Sequence, residues 1–305
     1  MNEFSSIGNL PNLIVIGAMK CGTTSLHSYL NIHPEISMSR QKELNFFIET
    51  KNWHKGIEWY KSNFTGEAKI YGESSPNYTK RHIWKNIPEK IYSVIPKTKL
   101  IYVVRDPIER IISHYIHTYS EGTEDNSIEE ALNKIEGNNY VESSKYFFQI
   151  EPYLEFFSNS SILVISSEKL LNHPQETMKK VFQFLEVDTD FKLEIKTVTE
   201  ALTVGFPLNI FKSQFNTKKH QSFGKRRMKL STDNLIVKNI STITQRLPGK
   251  VRSYTEQIVY QPFSEKIKRP KISNELRQEI LDYLTEDIIK LKKMTGYSFE
   301  EWNIE

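Results

Sequence analysis

The amino-acid sequence predicts an α/β protein with a central parallel β-sheet flanked by helices. Three short apolar runs rich in β-branched residues, at Leu13–Ile16, Leu100–Val104 and Ile162–Ile165, predict strands that are buried on both faces. A segment with apolar residues at helical spacing follows each run. Buried strands that alternate with helices are typical of a parallel sheet covered on both faces.

Length and composition indicate a globular protein that favours anionic ligands. The 305 residues are enough for one large α/β domain or two small ones, and without internal repeats we expect a single domain over 10–302 with an N-terminal tail over 1–9. Apolar residues at 38% and charged residues at 26% suit a soluble protein with a core. The net charge of +4 favours anionic ligands, and we expect no nucleic-acid partner.

Cysteine usage and the N-terminal sequence predict the compartment. Cys21 is the only cysteine, so an intramolecular disulfide is excluded and a reducing compartment is favoured. The first ten residues lack the pattern of a signal peptide, and no run approaches the roughly 18 apolar residues that span a bilayer. We therefore expect a cytoplasmic protein without membrane insertion, and leave its oligomeric state open.

The first strand leads into a loop with the features of an anion site. Gly17 and Gly22 bracket this loop, Lys20 lies inside it, and three hydroxyl residues at 23–25 open the next helix. Backbone N–H groups and the helix dipole converge at such a helix start and favour a phosphate group there. The simpler alternative is a strand–loop–helix crossover with small residues for packing. The lysine and the hydroxyls favour the anion site.

The second strand ends at a candidate for another phosphate contact. Arg105 follows this strand, and Asp106 and Pro107 predict the start of a helix in which Ser113 lies one to two turns further on. An arginine fork and a serine hydroxyl are able to hold one phosphate between them. Alternatively, Arg105 pairs with a carboxylate at the edge of the core and Ser113 lies on the helix surface.

Several segments resemble sulfotransferases that use 3′-phosphoadenylyl sulfate (PAPS). The order G-x-x-K-x-G-T-T-S from Gly17 resembles the phosphate-binding loop of that family, whereas a nucleoside-triphosphate P-loop has its lysine directly after the second glycine. The segment Ile101–Tyr115 resembles the family's 3′-phosphate motif. Lys42–Phe47 is similar to the segment that carries the catalytic glutamate in bacterial and heparan-sulfate-type members. The turn at 72–78 and the helix ending near Trp302 also fit, so the likeness covers roughly 10–302 and is weakest over 200–260.

The resemblance implies a P-loop-like sulfotransferase fold that binds PAPS as co-substrate and releases adenosine 3′,5′-bisphosphate (PAP). It implies that Lys20 is catalytic and stabilises the negative charge of the departing 5′-phosphate. Metal is not required, and the 8 histidines show no metal-ligand spacing. The residues expected to contact the nucleotide are Lys20, Cys21, Gly22, Thr23, Thr24, Ser25, Arg105, Ser113, Lys268 and Arg269.

The resemblance makes Glu43 the candidate general base that takes the proton of the acceptor. We expect the apolar neighbours Leu44, Phe46 and Phe47 to desolvate Glu43 in part and raise its pKa, as a useful base requires. The alternative is a solvated surface carboxylate, which is the common fate of glutamate.

Departures from the family pattern leave the acceptor open between a glycan and a small-molecule natural product. Ser74 stands where several heparan-sulfate-type enzymes have a lysine, and Asn45 stands where they have a histidine. Lys42 is a candidate to supply the missing charge, so Lys42 and Ser74 are candidate substrate residues. His114 is a third candidate and an alternative base, although packing is its favoured role. We expect a hydroxyl acceptor, with nitrogen left open.

Two other functions compete with a sulfotransferase. A P-loop nucleotide kinase shares the strand–loop–helix unit, but it requires an acidic magnesium ligand on a neighbouring strand, where this chain first supplies Arg105. A non-catalytic glycan-binding module would use the basic stretch 201–232, which contains no acidic residue. That stretch has three interpretations: a clamp on an anionic glycan, a cover over the nucleotide, or a solvated loop.

Overall fold

A computed structural model describes residues 8–193 and 269–304. Within these ranges five strands form one sheet in the order β2-β3-β1-β4-β5, and every neighbouring pair is parallel. The predicted fold class is therefore confirmed. The strands are β1 (Leu13–Gly17), β2 (Ile36–Met38), β3 (Ile70–Ser74), β4 (Lys99–Val104) and β5 (Ile162–Ser166).

The three predicted strands are present as β1, β4 and β5, whereas β2 and β3 escaped the sequence pattern. The prediction of a turn beginning at Gly72 is wrong, because Gly72 pairs with Leu13 in the sheet and the chain turns only after Ser74. Glycine suits this site because a Cβ on Gly72 would lie 2.6 Å from Met38 Sδ. Tertiary pairing thus overrides the low strand propensity of glycine.

Ten α-helices connect and flank the strands in the described ranges. The N-cap predicted at Asp106 is confirmed, because Asp106 Oδ1 accepts a hydrogen bond from Glu109 N at 2.9 Å. Ser127 and Glu130 form a capping box, in which each side chain accepts a hydrogen bond from the backbone N–H of the other residue. The helices are α1 (Thr23–Asn31), α2 (Gly56–Lys61), α3 (Ile87–Val94), α4 (Pro107–Glu121), α5 (Ile128–Ala131), α6 (Asn139–Glu142), α7 (Tyr146–Ile150), α8 (Ser167–Asn172), α9 (Pro174–Leu185) and α10 (Asn274–Thr295).

The strand order identifies the edge of the sheet where a ligand binds. From β1 the chain builds one side of the sheet with β2 and β3, and then crosses to the other side with β4 and β5. The carboxyl ends of β1 and β4 therefore flank a topological switch point, which is the preferred ligand position in open parallel sheets. The glycine-bracketed loop follows β1 and Arg105 follows β4, so the fold itself brings these two segments together.

The chain divides into two compact units. The first contains all five strands of the described sheet, and the second contains Ile111–Lys134 together with the described residues 269–277. In the second unit, Ser273 Oγ accepts a hydrogen bond from Leu276 N at 3.2 Å and thereby caps the start of α10. The single domain predicted over 10–302 stays a prediction. No helix in the described part of the chain combines the length and apolar character needed to cross a bilayer.

Long-range contacts fix the C-terminal part of the first unit. Asp287 of α10 accepts hydrogen bonds from Phe147 N at 2.9 Å and Phe148 N at 2.7 Å, which pins α7. Burial raises the pKa of Asp287 to about 6. Beyond α10, Asn303 N donates to Asp106 Oδ2 at 2.9 Å. The chain end is thus attached next to Arg105 at the carboxyl end of β4.

Candidate active site

The loop after β1 has the backbone conformation that its glycines predict. A Cβ on Gly17 would lie 1.9 Å from Thr79 Oγ1, so only glycine allows this close approach. Gly22 has φ +91 and ends the loop as the N-cap of α1. Between them, Ala18 N donates to Val103 O at 2.8 Å, which ties the loop to β4.

The start of α1 has the features of an anion site. The N–H groups of the first helical turn, from Thr23 to Ser25, have no partner within the helix by its geometry. Gly22 has no side chain to cap them, and the first turn contains no acidic residue that would neutralise the dipole. Thr23 and Ser25 are 4% and 7% exposed, so their hydroxyls lie in a largely dehydrated position. The helix end is thus suited to hold a phosphate.

Arg105 lies directly beside this loop. Its Nη1 donates to Lys20 O at 3.3 Å, and its Nη2 lies 3.3 Å from Glu109 Oε2. The Arg105 side chain is 11% exposed, and Tyr146 Oη contacts both its backbone N and O. The structure therefore brings together Lys20 and Arg105. Arg105 also pairs with the Glu109 carboxylate, which was the alternative to phosphate binding.

The interior beneath the loop contains a buried arginine that the sequence pattern did not reveal. Arg110 is completely buried and donates to Ser144 Oγ and to Tyr140 O. Cys21 is also completely buried, its Sγ lies 3.6 Å from Tyr146 Oη, and burial raises the pKa of the thiol to about 11. Because Cys21 N already donates to Ala18 O at 3.2 Å, the expected contact of Cys21 with the nucleotide is not supported.

Glu43 lies in an exposed ion pair. Lys42 Nζ lies 2.8 Å from Glu43 Oε1, and the two side chains are 8% and 48% exposed. Leu44, Phe46 and Phe47 point into the core, with exposures of 0%, 2% and 0%. The expectation that these three side chains desolvate Glu43 is therefore wrong, because they are turned away from its half-exposed carboxylate.

Lys20 and Glu43, the two predicted catalytic residues, both have left-handed backbone conformations. Their φ angles are +71 and +64, and Asn45 has φ +48. Such a conformation costs a non-glycine residue about 1–3 kcal/mol and concentrates at functional sites. Three further non-glycine residues among those described share this conformation, so it accompanies the two candidates but does not by itself select them.

Long-range hydrogen bonds hold the segment around Glu43 in place. Glu43 N donates to Ser74 O at 2.9 Å, and Asn45 N donates to Ser75 Oγ at 3.0 Å. Asn45 Nδ2 donates to Glu43 O at 2.8 Å, and Asn77 Nδ2 donates to Asn45 Oδ1 at 3.1 Å. The position of Glu43 therefore depends on the chain that follows β3.

A buried carboxylate organises the end of β3. Glu73 is completely buried and accepts hydrogen bonds from Tyr60 Oη at 2.6 Å, Ser75 Oγ at 2.6 Å and Tyr78 Oη at 3.0 Å. Burial raises the pKa of Glu73, against the effect of these hydrogen bonds. The longest of these three contacts joins residues 13 positions apart. The turn over 72–78 fits the family pattern, but the sequence does not reveal the contact with Tyr60.

Ser74 is directed away from solvent. It is completely buried, and its Oγ lies 2.9 Å from His27 Nδ1. Burial, and then the charge of Lys42, lower the pKa of His27 to about 4. Its hydroxyl thus has a partner in the interior, and the predicted contact of Ser74 with substrate stays a prediction.

Lys80 is a cation near this site that the sequence analysis missed. It ends the 3₁₀ turn Pro76–Thr79, is 7% exposed, and its Nζ lies 3.0 Å from Met19 Sδ. Burial lowers the pKa of Lys80 to about 8. Its position after a serine–proline turn was visible in the sequence, but the contact with the residue before Lys20 was not.

The remaining predicted residues belong to the second unit or lie outside the described ranges. Ser113 and His114 lie in α4 and are 8% and 2% exposed, which agrees with the packing role favoured for His114. Arg269 is partly buried, and its nucleotide contact stays a prediction, as does that of Ser113. Lys268 and the basic stretch 201–232 lie outside the described residues.

A separate cavity of about 140 Å³ lies beside β5 and contains none of the predicted site residues. It is lined by Ile165, Ser166, Lys169, His173, Glu176, Thr177, Lys180, Tyr297, Phe299 and Glu301. Among the described residues, no cluster of three or more histidine, cysteine, aspartate or glutamate side chains has the arrangement of a metal site.

A parallel sheet with a glycine-bracketed, lysine-containing loop at its switch point is typical of α/β proteins that bind anionic ligands. The chain belongs to the sulfotransferase domain family, whose model matches residues 10–261. The family predicted from the motifs is confirmed.

The similar proteins share the family and the fold. Heparan sulfate glucosamine 3-O-sulfotransferase 3A1 of Mus musculus is 32% identical over 185 residues, which are 58% of this chain and 46% of that protein. Bifunctional heparan sulfate N-deacetylase/N-sulfotransferase 4 of Mus musculus is 31% identical over 216 residues, or 64% of this chain and 24% of that protein. The chain thus spans about half or less of the length of these relatives. A sulfotransferase from Alicyclobacillus acidocaldarius has a similar crystal structure, with a TM-score of 0.55, 26% identity and coverage of 67% of this chain and 94% of that chain.

Proposed function

We propose that this protein transfers the sulfonate group of PAPS to an acceptor hydroxyl and releases PAP. The contact of Arg105 Nη1 with Lys20 O, at 3.3 Å, carries this proposal. It joins two cationic residues at the carboxyl ends of β1 and β4. PAPS has a 5′-phosphosulfate at one end of its ribose and a 3′-phosphate at the other, so a donor with two anionic ends suits two adjacent cationic positions.

Each end of the nucleotide has its own partners. The first-turn N–H groups of α1, from Thr23 to Ser25, hold the 5′-phosphate, and Lys20 neutralises the charge on its bridging oxygen. Arg105 and Ser113 hold the 3′-phosphate, which ADP and ATP lack. This division explains why Lys20 lies inside the loop and why Arg105 follows the neighbouring strand.

Transfer proceeds by in-line displacement. The acceptor oxygen forms a bond to sulfur while the bond from sulfur to the bridging oxygen breaks, and the electron pair remains on the 5′-phosphate of PAP. Glu43 takes the proton of the acceptor hydroxyl. The Glu43 carboxylate is 48% exposed, so an acceptor reaches it from solvent. Lys42, 2.8 Å away, is positioned to contact an anionic group of the acceptor.

The relatives favour a glycan as acceptor over a small-molecule natural product. Both are named for heparan sulfate, one for O-sulfation and one for N-sulfation of this glycan. We therefore place amino-sugar oligosaccharides first, with a nitrogen acceptor as the second option. A panel of glycans and small hydroxyl compounds, incubated with donor labelled in its sulfonate, identifies the acceptor by transfer of the label.

Calorimetric titration without magnesium tests the class of reaction. We expect PAP to bind at least about 30-fold more tightly than ADP or ATP, since the charged contact to the 3′-phosphate contributes roughly 2 kcal/mol. Tighter binding of ATP that depends on magnesium would favour the kinase alternative. Salt-sensitive glycan binding without PAP binding would favour the non-catalytic module.

A further inference from the structure

Lys80 is a charged residue that is almost completely buried, and no structural role in the fold requires its charge. Its side chain is largely withdrawn from water at 7% exposure, and its ammonium lies 3.0 Å from Met19 Sδ. A thioether is a weak acceptor and cannot replace the hydration of an ammonium group. Among the described residues, Lys80 forms no ion pair with a carboxylate within 4.0 Å. The ammonium is therefore poised for an anion that the free protein does not supply.

The backbone around Lys80 is held from three sides. Thr79 touches Gly17 at the end of β1, and Asn77 is bonded to Asn45 in the segment of Glu43. Tyr78 donates to the buried Glu73 carboxylate, and Tyr78 O accepts from Tyr153 Oη at 2.9 Å. Lys80 is thus attached both to the loop of Lys20 and to the segment of Glu43. The backbone position of Lys80 is therefore fixed, and Met19 Sδ contacts its ammonium.

The charged neighbours of Lys80 are mostly cations. Arg110 and Lys51 oppose its charge, and the Glu43 carboxylate favours it. Arg110 belongs to α4, and both Lys51 and Glu43 belong to the segment between β2 and α2. Burial is the main cause of the lowered pKa, about 8, and the cations add to it. Such an environment gains more from a bound anion than a solvated lysine would.

We propose that Lys80 is a further active-site cation that binds the sulfonate group of PAPS between Lys20 and Glu43. This inference rests on the proposed function, because in-line transfer requires the sulfonate to lie between the leaving phosphate and the base. Lys80 keeps its proton throughout and donates hydrogen bonds to the sulfonate oxygens. The bond changes are those of the transfer itself: sulfur–oxygen cleavage on the PAP side, sulfur–oxygen formation on the acceptor side, and proton transfer to Glu43.

Comparison of PAPS with PAP binding isolates this role, since the two nucleotides differ by the sulfonate. In Lys80→Met we expect the affinity for PAPS to fall about 10-fold or more, as for loss of a charged hydrogen bond, and the affinity for PAP to change less than about 2-fold. Lys80→Arg should retain PAPS affinity to within about 3-fold. Lys85→Met, which removes an exposed lysine nearby, is the matched control and should leave both affinities unchanged.

The pH dependence supplies a second readout. Lys80 is charged below its pKa of about 8, so the preference of the wild-type protein for PAPS over PAP should decline as the pH rises through that value. In Lys80→Met this preference should be small and independent of pH between 7 and 9. Circular dichroism and thermal melting establish that the variant is folded; where it is not, Lys80→Gln takes its place.

The outcomes separate this inference from the proposed function. Equal losses of PAPS and PAP affinity, or no loss of either, in a folded variant would overturn the role of Lys80 while the wild-type protein still binds PAP. Failure of the wild-type protein to bind PAP would overturn the proposed function itself.

Discussion

The loop over 17–25 and the carboxylate segment over 43–47 form the two sides of the proposed active site, but they are built in different ways. The loop is shaped by backbone: Gly17 allows close approach to Thr79, and Gly22 supplies a left-handed cap for α1. The carboxylate segment is shaped by side chains from elsewhere, since Asn45 N is held by Ser75 Oγ, 30 positions away. The conformation of the donor loop is therefore specified largely by its own glycines, whereas the carboxylate segment depends on side chains from distant positions.

This difference has a consequence for specificity. A backbone loop at a helix N-terminus binds phosphate through its N–H groups. Its conformation depends on glycines, so few substitutions in the loop are tolerated. Side-chain contacts across loops are easier to rearrange. On the acceptor side, the contact of Ser74 with His27 and that of Lys80 with Met19 are side-chain contacts of this kind. Variants of the two regions should therefore differ in which step they affect.

The largest effect is expected from the loop. Lys20→Met should lower the rate of PAP release from PAPS by about 10³-fold, because the charge on the departing phosphate loses its partner. The affinity for PAP should fall by only about 10-fold, since the first-turn N–H groups of α1 still hold the phosphate. Coupled detection of PAP and calorimetry measure the two quantities. Lys97→Met, at an exposed position, is the control. Turnover near that of the wild type would remove Lys20 from catalysis.

The carboxylate segment should show the opposite division between rate and nucleotide affinity. Glu43→Gln keeps the shape of the side chain but cannot accept the proton, so turnover should fall about 10²-fold. PAP affinity should stay within about 2-fold. Glu49→Gln also breaks an exposed lysine–glutamate pair, at 3.0 Å, and should change neither quantity. A fully active Glu43→Gln protein would require another base, for which His114 is the remaining candidate.

Arg105 tests whether the site distinguishes the 3′-phosphate. Arg105→Met should weaken PAP binding about 30-fold and leave adenosine 5′-monophosphate binding nearly unchanged, because only PAP has a 3′-phosphate to lose. Calorimetry with both nucleotides gives the ratio directly. Arg81→Met, which removes another arginine–glutamate pair at 2.8 Å, should leave this ratio unchanged. Equal weakening of both nucleotides would mean that Arg105 supports the loop through Lys20 O rather than binding the 3′-phosphate.

The same division between local and long-range structure decides what could be predicted from the sequence. The loop, the strands β1, β4 and β5, and the cap at Asp106 are local patterns, and they were predicted correctly. The strands β2 and β3 were missed because a three-residue strand and a strand containing Gly72 and Glu73 are recognised only through their partners.

On the acceptor side, the sequence identified residues but not their surroundings. Glu43 was selected by resemblance, yet the expected desolvation was wrong because its apolar neighbours turn inward. Glu73 lies in the turn over 72–78 that fits the family and Lys80 follows that turn, but the sequence assigned neither residue a function. The functions that they have depend on contacts with Met19, Tyr60 and Tyr78, and no spacing rule connects those positions.

Ser75 gives the smallest and most discriminating prediction, because it belongs only to the support of the carboxylate segment. Its Oγ donates to Glu73 Oε2 at 2.6 Å and accepts from Asn45 N at 3.0 Å. Ser75→Ala leaves a buried N–H and one buried carboxylate oxygen without this partner, which should cost about 1–3 kcal/mol of unfolding free energy. Turnover should fall a few-fold as Glu43 loses its fixed position, while PAP affinity is retained. Chemical denaturation, PAP release and calorimetry measure the three quantities, with exposed Ser93→Ala as the control. A loss of PAP affinity equal to the loss of turnover would show that the two regions are not independent.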